Sequence, residues 1–142
     1  ARSMDRNSYL LDAAKATNLE VLVVEDNDDS RMILELFLQD CGVKKVTYAT
    51  CGREALKKAS EKFYDLIFLD LFLPDVPGLD LSQALNQATR YLVAYTAVAS
   101  LVSSGALEEK GFADVLLKPI FLSQLIPIIV KALKLKTLAD NP

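Results

Sequence analysis

Five short apolar runs recur along this chain, and each closes on a polar residue: LEVLVVE (19–25), KVTYAT (45–50), DLIFLD (65–70), YLVAYT (91–96) and ADVLLK (113–118). In the first and third, apolar side chains fill odd and even positions alike, so both faces of an extended strand need cover. Stretches with helical apolar periodicity separate the runs, at 26–42, 53–63, 79–88 and 99–111, and a last one follows at 122–136. Strand and helix alternating five times predict a parallel sheet with helices on both faces, built as one α/β domain.

The helical stretches carry their own expectations. In DNDDSRMILELFLQDCG (26–42), Met32, Ile33, Leu36 and Phe37 share a face predicted to turn inward. Asp28 or Asp29 is the predicted N-cap, and Gly42 the stop. Ala55, Leu56 and Ala59 are predicted to face inward from the charged second helix. Pro74 and Pro77-Gly78 punctuate a loop after the third strand. Gly105 and two serines loosen the stretch 99–111. In the last helix Leu122, Leu125, Ile126, Ile128, Ile129, Val130, Leu133 and Leu135 exceed one buried stripe, and Pro127 removes a helix bond near the start. Those residues fit either a deep core helix or a helix that also meets a partner. Residues 1–18 read as a tail with one helical turn near 10–16, residues 19–136 as the domain, and 137–142 as a second tail. Residues 1–3, ahead of Met4, read as additions before a native start.

Composition excludes several classes of chemistry. The 142 residues are 51% apolar and 25% charged, which suits a globular domain. There is no histidine, so Ser-His-Asp and Cys-His nucleophile systems are excluded, and the chain carries no phosphohistidine of its own. Cys41 and Cys51 form no CxxC and read as semi-buried thiols. The net charge is −3 with no basic block, which argues against nucleic acid or an anionic membrane as partner. No apolar run approaches the roughly 20 residues of a membrane span. The start lacks the apolar core of a secretory signal, so the cytoplasm is the expected location.

Open α/β sheets bind ligands beyond the carboxyl ends of their strands. Those ends here carry Glu25-Asp26, Asp70, Thr96 and Lys118, the last followed by Pro119. Three neighbouring carboxylates repel one another unless a cation is present, and oxygen donors suit Mg²⁺. A carboxylate can attack phosphorus to give an acyl phosphate. An ammonium and a metal can shield the charge of the transferring group, and a hydroxyl can bond one of its oxygens. Each residue has an ordinary reading too: Asp70 as a turn residue, Glu25-Asp26 as helix caps, Thr96 as a strand residue, Lys118 as a solvated loop residue. That every one of these ends holds what a single phosphoryl-transfer site needs favours the joint reading.

The motifs VLVVEDND (21–28), ATCGREAL (49–56), DLIFLDLFLPDVPGLD (65–80), VAYTA (93–97) and GFADVLLKPI (111–120) occur in that order. With them the chain resembles a CheY-like response-regulator receiver domain of two-component signalling, from about residue 19 to 136. The resemblance implies a flavodoxin-like (βα)5 fold with strand order 2-1-3-4-5. It implies that Asp70 accepts phosphate from a phosphohistidine on a sensor histidine kinase or histidine phosphotransfer protein. Mg²⁺ would be held by Glu25, Asp26, Asp70 and the backbone carbonyl of Phe72, while Thr96 and Lys118 engage the phosphoryl group. Such a domain is a signalling element rather than an enzyme proper, and the face of its last two helices is the usual surface for an output partner or a homodimer.

Three departures qualify the resemblance. Val115 stands three before Lys118, where the family usually has Tyr or Phe. Pro77 stands where Asp or Asn commonly precedes the glycine. Phe72 and Val98 are bulky at positions that tune phosphate loss in the family, which implies slow water entry and a long-lived phosphoaspartate. Val115 and Pro77 leave open an alternative, a pseudo-receiver acting only as a protein-interaction module. A third reading, an aspartyl-phosphate phosphatase, wants a second Asp two after the nucleophile, where this chain has Phe72. A flavodoxin is disfavoured because DNDD after the first strand is acidic rather than phosphate-cradling.

Overall fold

All five apolar runs become strands. The computed structural model describes residues 11–141. In order along the chain they form α1 (Ala13–Ala16), β1 (Glu20–Val24), α2 (Asp28–Asp40), β2 (Lys45–Ala49), α3 (Gly52–Glu61), β3 (Leu66–Asp70), α4 (Gly78–Asn86), β4 (Leu92–Thr96), α5 (Ser100–Ser103), α6 (Ala106–Glu109), β5 (Asp114–Leu117) and α7 (Leu122–Asp140). The strands make one parallel sheet in the order β2-β1-β3-β4-β5, the order expected.

Strand parity divides the core into two layers. Val21, Val23, Phe68 and Val93 pack beneath α2 and α7, with Leu34, Leu38, Leu125, Ile128 and Ile129. Leu22, Val24, Ile67, Leu69 and Ala94 face the other way, against Ala55 of α3, Leu81 and Leu85 of α4, and Leu107 of α6. β3 and β4 are buried along their whole length, which is why their sequences show no alternation.

Several helix expectations need correction. On α2 the buried residues are Leu34 and Leu38, while Met32, Leu36 and Ile33 stand 57%, 53% and 46% exposed. The sequence offers apolar residues on two faces of this helix, and polar anchors at its first turn decide between them. Arg31 Nη1 donates to Glu25 O at 3.0 Å, and Tyr95 Oη donates to Ser30 O at 3.0 Å. The N-cap is Asn27, not Asp28 or Asp29: its side chain accepts the Ser30 N–H at 2.8 Å. Leu56 of α3 points out, leaving Gly52 and Ala55 as the buried positions. The stretch 99–111 is two short helices, parted by Gly105 at φ +79°, a backbone state that favours glycine.

Apolar residues of α7 largely go inward: Leu125, Ile126, Ile128, Ile129 and Val130 are buried, and Leu122, Leu133 and Leu135 pack partly against them. The helix continues past residue 136 to Asp140. The turn α1, capped by Asp12, delivers Ala16 into the core. The expectations for residues 1–10 and 142 lie outside the described residues.

At the amino edge of the sheet, Asp65 is buried and fully partnered. It accepts the Glu20 N–H at 2.8 Å, meets Arg90 Nη1 at 2.8 Å and Lys136 Nζ at 3.3 Å, and so binds β1, the segment before β4 and α7 to the start of β3.

Candidate functional site

The carboxyl edge of the same sheet gathers the polar residues singled out above. β1 and β3 are hydrogen-bonded neighbours in register, so the residues following Val24 come beside Asp70. Glu25, Asp26 and Asp70 each offer a carboxylate oxygen, and the three lie within 4.8 Å of one another. Glu25 and Asp70 are buried, whereas Asp26 is exposed. Asp70 pairs with Tyr95 across β3–β4, which sets Thr96 just beyond, and Lys118 N–H donates to Thr96 O at 2.8 Å.

Backbone amides orient the two buried acids. Phe72 N–H donates to Asp70 Oδ1 at 3.0 Å, and Asn27 N–H to Glu25 Oε2 at 3.1 Å. Lys118 Nζ pairs closely with Glu25 Oε1 and stands 3.9 Å from Asp70 Oδ2. The Tyr95 ring lies 4.5 Å beneath that ammonium, a cation–π seat that holds it over the acids. Thr96 Oγ1 accepts the Val98 N–H at 3.1 Å, which leaves its hydroxyl hydrogen to donate elsewhere. Phe72 itself is 61% exposed at the rim.

Electrostatics separates the two buried carboxylates. Burial and the adjacent Glu25 push Asp70 up to about 7. Burial also opposes the charge of Glu25, but the Asp70 carboxyl, Lys118 and the Asn27 amide together hold Glu25 below its ordinary value. In the metal-free fold Asp70 therefore holds a proton more tightly than Glu25 does. Three acids facing one ammonium leave excess negative charge, and the donors are all oxygen. That donor set fits a hard divalent cation such as Mg²⁺.

All the expected site residues reach one edge: Glu25, Asp26, Asp70, Thr96, Lys118 and the Phe72 main chain. Lys118 chiefly faces Glu25 rather than Asp70. Val115 is half-buried against the α6 side and helps line a small cleft with Val102, Leu107 and Phe112. Sequence reasoning missed Tyr95 as the seat for Lys118, and Asn27 and Arg31 as anchors of the Glu25 segment. Only Asn27 had a local signal, being an Asx residue one step before the acids favoured as caps.

Comparison with known proteins agrees with this geometry. A family model described as the response regulator receiver domain matches residues 21–130. The sensory/regulatory protein RpfC of Xanthomonas campestris is 28% identical over 126 residues, covering 84% of this chain but 17% of that protein. Among solved structures, the receiver domain of sensor histidine kinase PA1611 from Pseudomonas aeruginosa, with a magnesium ion coordinated in its active-site cleft, is similar with TM-score 0.70 and 27% identity, covering 82% of this chain and 98% of that one. The receiver domain of Ssk1 from Saccharomyces cerevisiae, crystallised with the histidine phosphotransfer protein Ypd1, belongs to a co-crystal structure whose matched chain is similar with TM-score 0.74 and 28% identity, covering 87% of this chain and 94% of that one. A five-stranded 2-1-3-4-5 sheet, an acid cluster at its carboxyl edge and a family match across most of its length place this chain in the response regulator receiver domain family.

Proposed function

We propose that this chain is a working phosphoacceptor: Asp70 takes a phosphoryl group from a phosphohistidine on a partner protein, in a reaction that needs Mg²⁺. One observation carries the reading. Three carboxylates from two neighbouring strand ends converge within 4.8 Å, with Lys118 over them. A structural role would have neutralised these charges in full, as Arg90 and Lys136 do at Asp65.

The residues divide the work. Phe72 N–H fixes one oxygen of Asp70, which orients the carboxylate toward the cleft. As the Asp70 oxygen bonds to phosphorus, the phosphorus–nitrogen bond breaks and its electron pair returns to the imidazole of the donor. Mg²⁺ held by Glu25, Asp26, Asp70 and the Phe72 carbonyl would neutralise the crowded acids and the phosphoryl oxygens. Lys118, seated over the Tyr95 ring and paired with Glu25, would turn toward the new phosphoryl group. Thr96 donates its free hydroxyl hydrogen to a phosphoryl oxygen. Asp70 must be ionised to attack, and a cation held beside it would lower its proton affinity.

Two relatives support the cation and the donor: one holds magnesium in its cleft, and another occurs in complex with a histidine phosphotransfer protein. The donor proposed here is therefore a histidine kinase or phosphotransfer protein. Among the described residues no helix is long and apolar enough to cross a membrane.

Intact-protein mass after incubation with acetyl phosphate tests the proposal. One phosphoryl adduct is expected, requiring both Mg²⁺ and Asp70 and absent in Asp70→Asn. A folded wild-type chain that takes no adduct from acetyl phosphate or from a phosphorylated kinase would favour the phosphorylation-independent interaction module.

A further inference from the structure

Asp75 lies in the loop that follows β3, and its carboxylate reaches out of that loop. Its Oδ1 accepts the Gly52 N–H at 2.7 Å, and its Oδ2 accepts the Arg53 N–H at 2.9 Å. Those are the first amides of α3, whose own N-cap residue, Cys51, makes no side-chain cap bond. The helix is therefore capped from a different part of the chain. A carboxylate is well suited to the task, because it meets two free amides at the positive end of the helix dipole. The two amides hold the Asp75 carboxyl below its ordinary value, so it stays ionised. The contact is close: a Cβ on Gly52 would lie 3.2 Å from Asp75 Oδ1 and 3.1 Å from Val76 Cγ2.

The same loop is fastened at its base. Phe72 bridges Pro77, and Gly78 N–H donates to Leu71 O at 2.9 Å. A Cβ on Gly78 would fall 2.4 Å from Asp70 O, so the loop presses directly on the backbone of the phosphoacceptor. On its other side, the segment leading into α3 accepts the Glu25 N–H at Ala49 O, 3.0 Å away. Residues 49–53 thus touch both elements that carry the proposed cation ligands, Glu25 by its amide and the Phe72 loop by Asp75.

We infer that Asp75 is a positioning residue for the metal-dependent phosphotransfer: by clipping the loop to the start of α3, it holds the Phe72 carbonyl where the three carboxylates can share a cation with it. The inference rests on the receiver reading above. Mg²⁺ demands near-ideal octahedral geometry, so a ligand on a loosened loop costs affinity. Residues that orient metal ligands from outside are worth about 10–100-fold in affinity.

Calorimetric titration with Mg²⁺ tests it, on wild type, Asp75→Ala, Asp75→Asn and Glu54→Ala. Glu54 is the control, because it supports the same helix start by accepting the Thr50 N–H at 2.6 Å. Asp75→Ala is expected to raise the Mg²⁺ dissociation constant about 10-fold, with Asp75→Asn, which keeps one acceptor oxygen, in between. Acetyl phosphate labelling of Asp75→Ala should recover at saturating Mg²⁺. Glu54→Ala should lower the melting temperature while binding Mg²⁺ as wild type does. Wild-type affinity in Asp75→Ala, or an equal loss in Glu54→Ala, would overturn the inference and leave a plain helix cap. Should Asp75→Ala not fold, Asp75→Asn decides the matter by the same criterion. A wild-type chain that takes up neither Mg²⁺ nor a phosphoryl group would instead sink the phosphoacceptor reading, and this inference with it.

Discussion

Asp65 and Asp70 bracket the same strand and are equally buried, each 4% exposed, yet their surroundings are opposite. Asp65 meets two cations and a backbone amide. Asp70 meets one amide, an ammonium 3.9 Å away that belongs more closely to Glu25, and two other carboxylates. The first is neutralised by its neighbours and holds the sheet to α7. The second is left short of positive charge, which suits the cation and phosphoryl chemistry proposed for it. Burial of an acid does not say whether it is structural or reactive; the balance of charge around it does.

Four experiments put this contrast at risk, and the most drastic is loss of the proposed acceptor. Asp70→Asn should abolish the phosphoryl adduct while Asp65→Asn keeps it, as intact mass will report. Loss of label from both would mean that the two poles are not independent. Next, Asp65→Ala should cost about 3 kcal/mol in urea unfolding, because Arg90, Lys136 and the Glu20 amide lose a buried acceptor. A cost under about 0.5 kcal/mol, the range of an ordinary surface substitution, would show that the pairing is idle.

The third test concerns pH. Asp70 in the metal-free fold is raised to about 7 from an ordinary 3.8. The folded chain therefore keeps a proton that the unfolded chain gives up. The stability this supplies is complete below the unfolded value and is lost as pH rises through the folded one. At pH 8 without metal, Asp70→Asn should therefore be more stable than wild type by about 2 kcal/mol, and the gap should close toward pH 4 or on adding Mg²⁺. A flat difference from pH 4 to 8 would contradict this. The last and mildest effect is kinetic. Phe72→Asn should shorten the phosphoaspartate half-life several-fold by easing water into the cleft, and an unchanged half-life would clear Phe72 of that role.

How much of this could be read from residues alone differs between sheet and site. The strands were plain because β1, β3 and β4 are buried on both faces, and a short β-branched run with no polar interruption fits little besides a covered strand. Helix rotation was not. On α2 the set Met32, Ile33, Leu36 and the set Leu34, Phe37, Leu38 are both apolar stripes, and local periodicity cannot choose between them. Arg31 and Ser30, bonded to distant strand ends, make the choice. Leu56 misled for a related reason: the buried positions of α3 are taken by Gly52 and Ala55, so the larger residue goes outward. The site acids and the lysine were visible because a polar residue closing an apolar strand is conspicuous. Their pairing was hidden. Nothing near Lys118 announces Glu25 as its main partner, nothing near Asp75 announces α3, and nothing near Asp65 announces Lys136, since such pairs have no period to read.

The ion pair between Lys118 and Glu25 joins residues 93 positions apart, one following β1 inside the sheet and the other following β5 at its edge. Contacts of that span form late, because the chain must surrender loop entropy before they give anything back. A partly folded chain can own Asp70 and even the loop around it, but not the ammonium that completes the cleft. For a chain that works as proposed, competence to receive a phosphoryl group is thereby tied to completion of the whole sheet, out to its last strand.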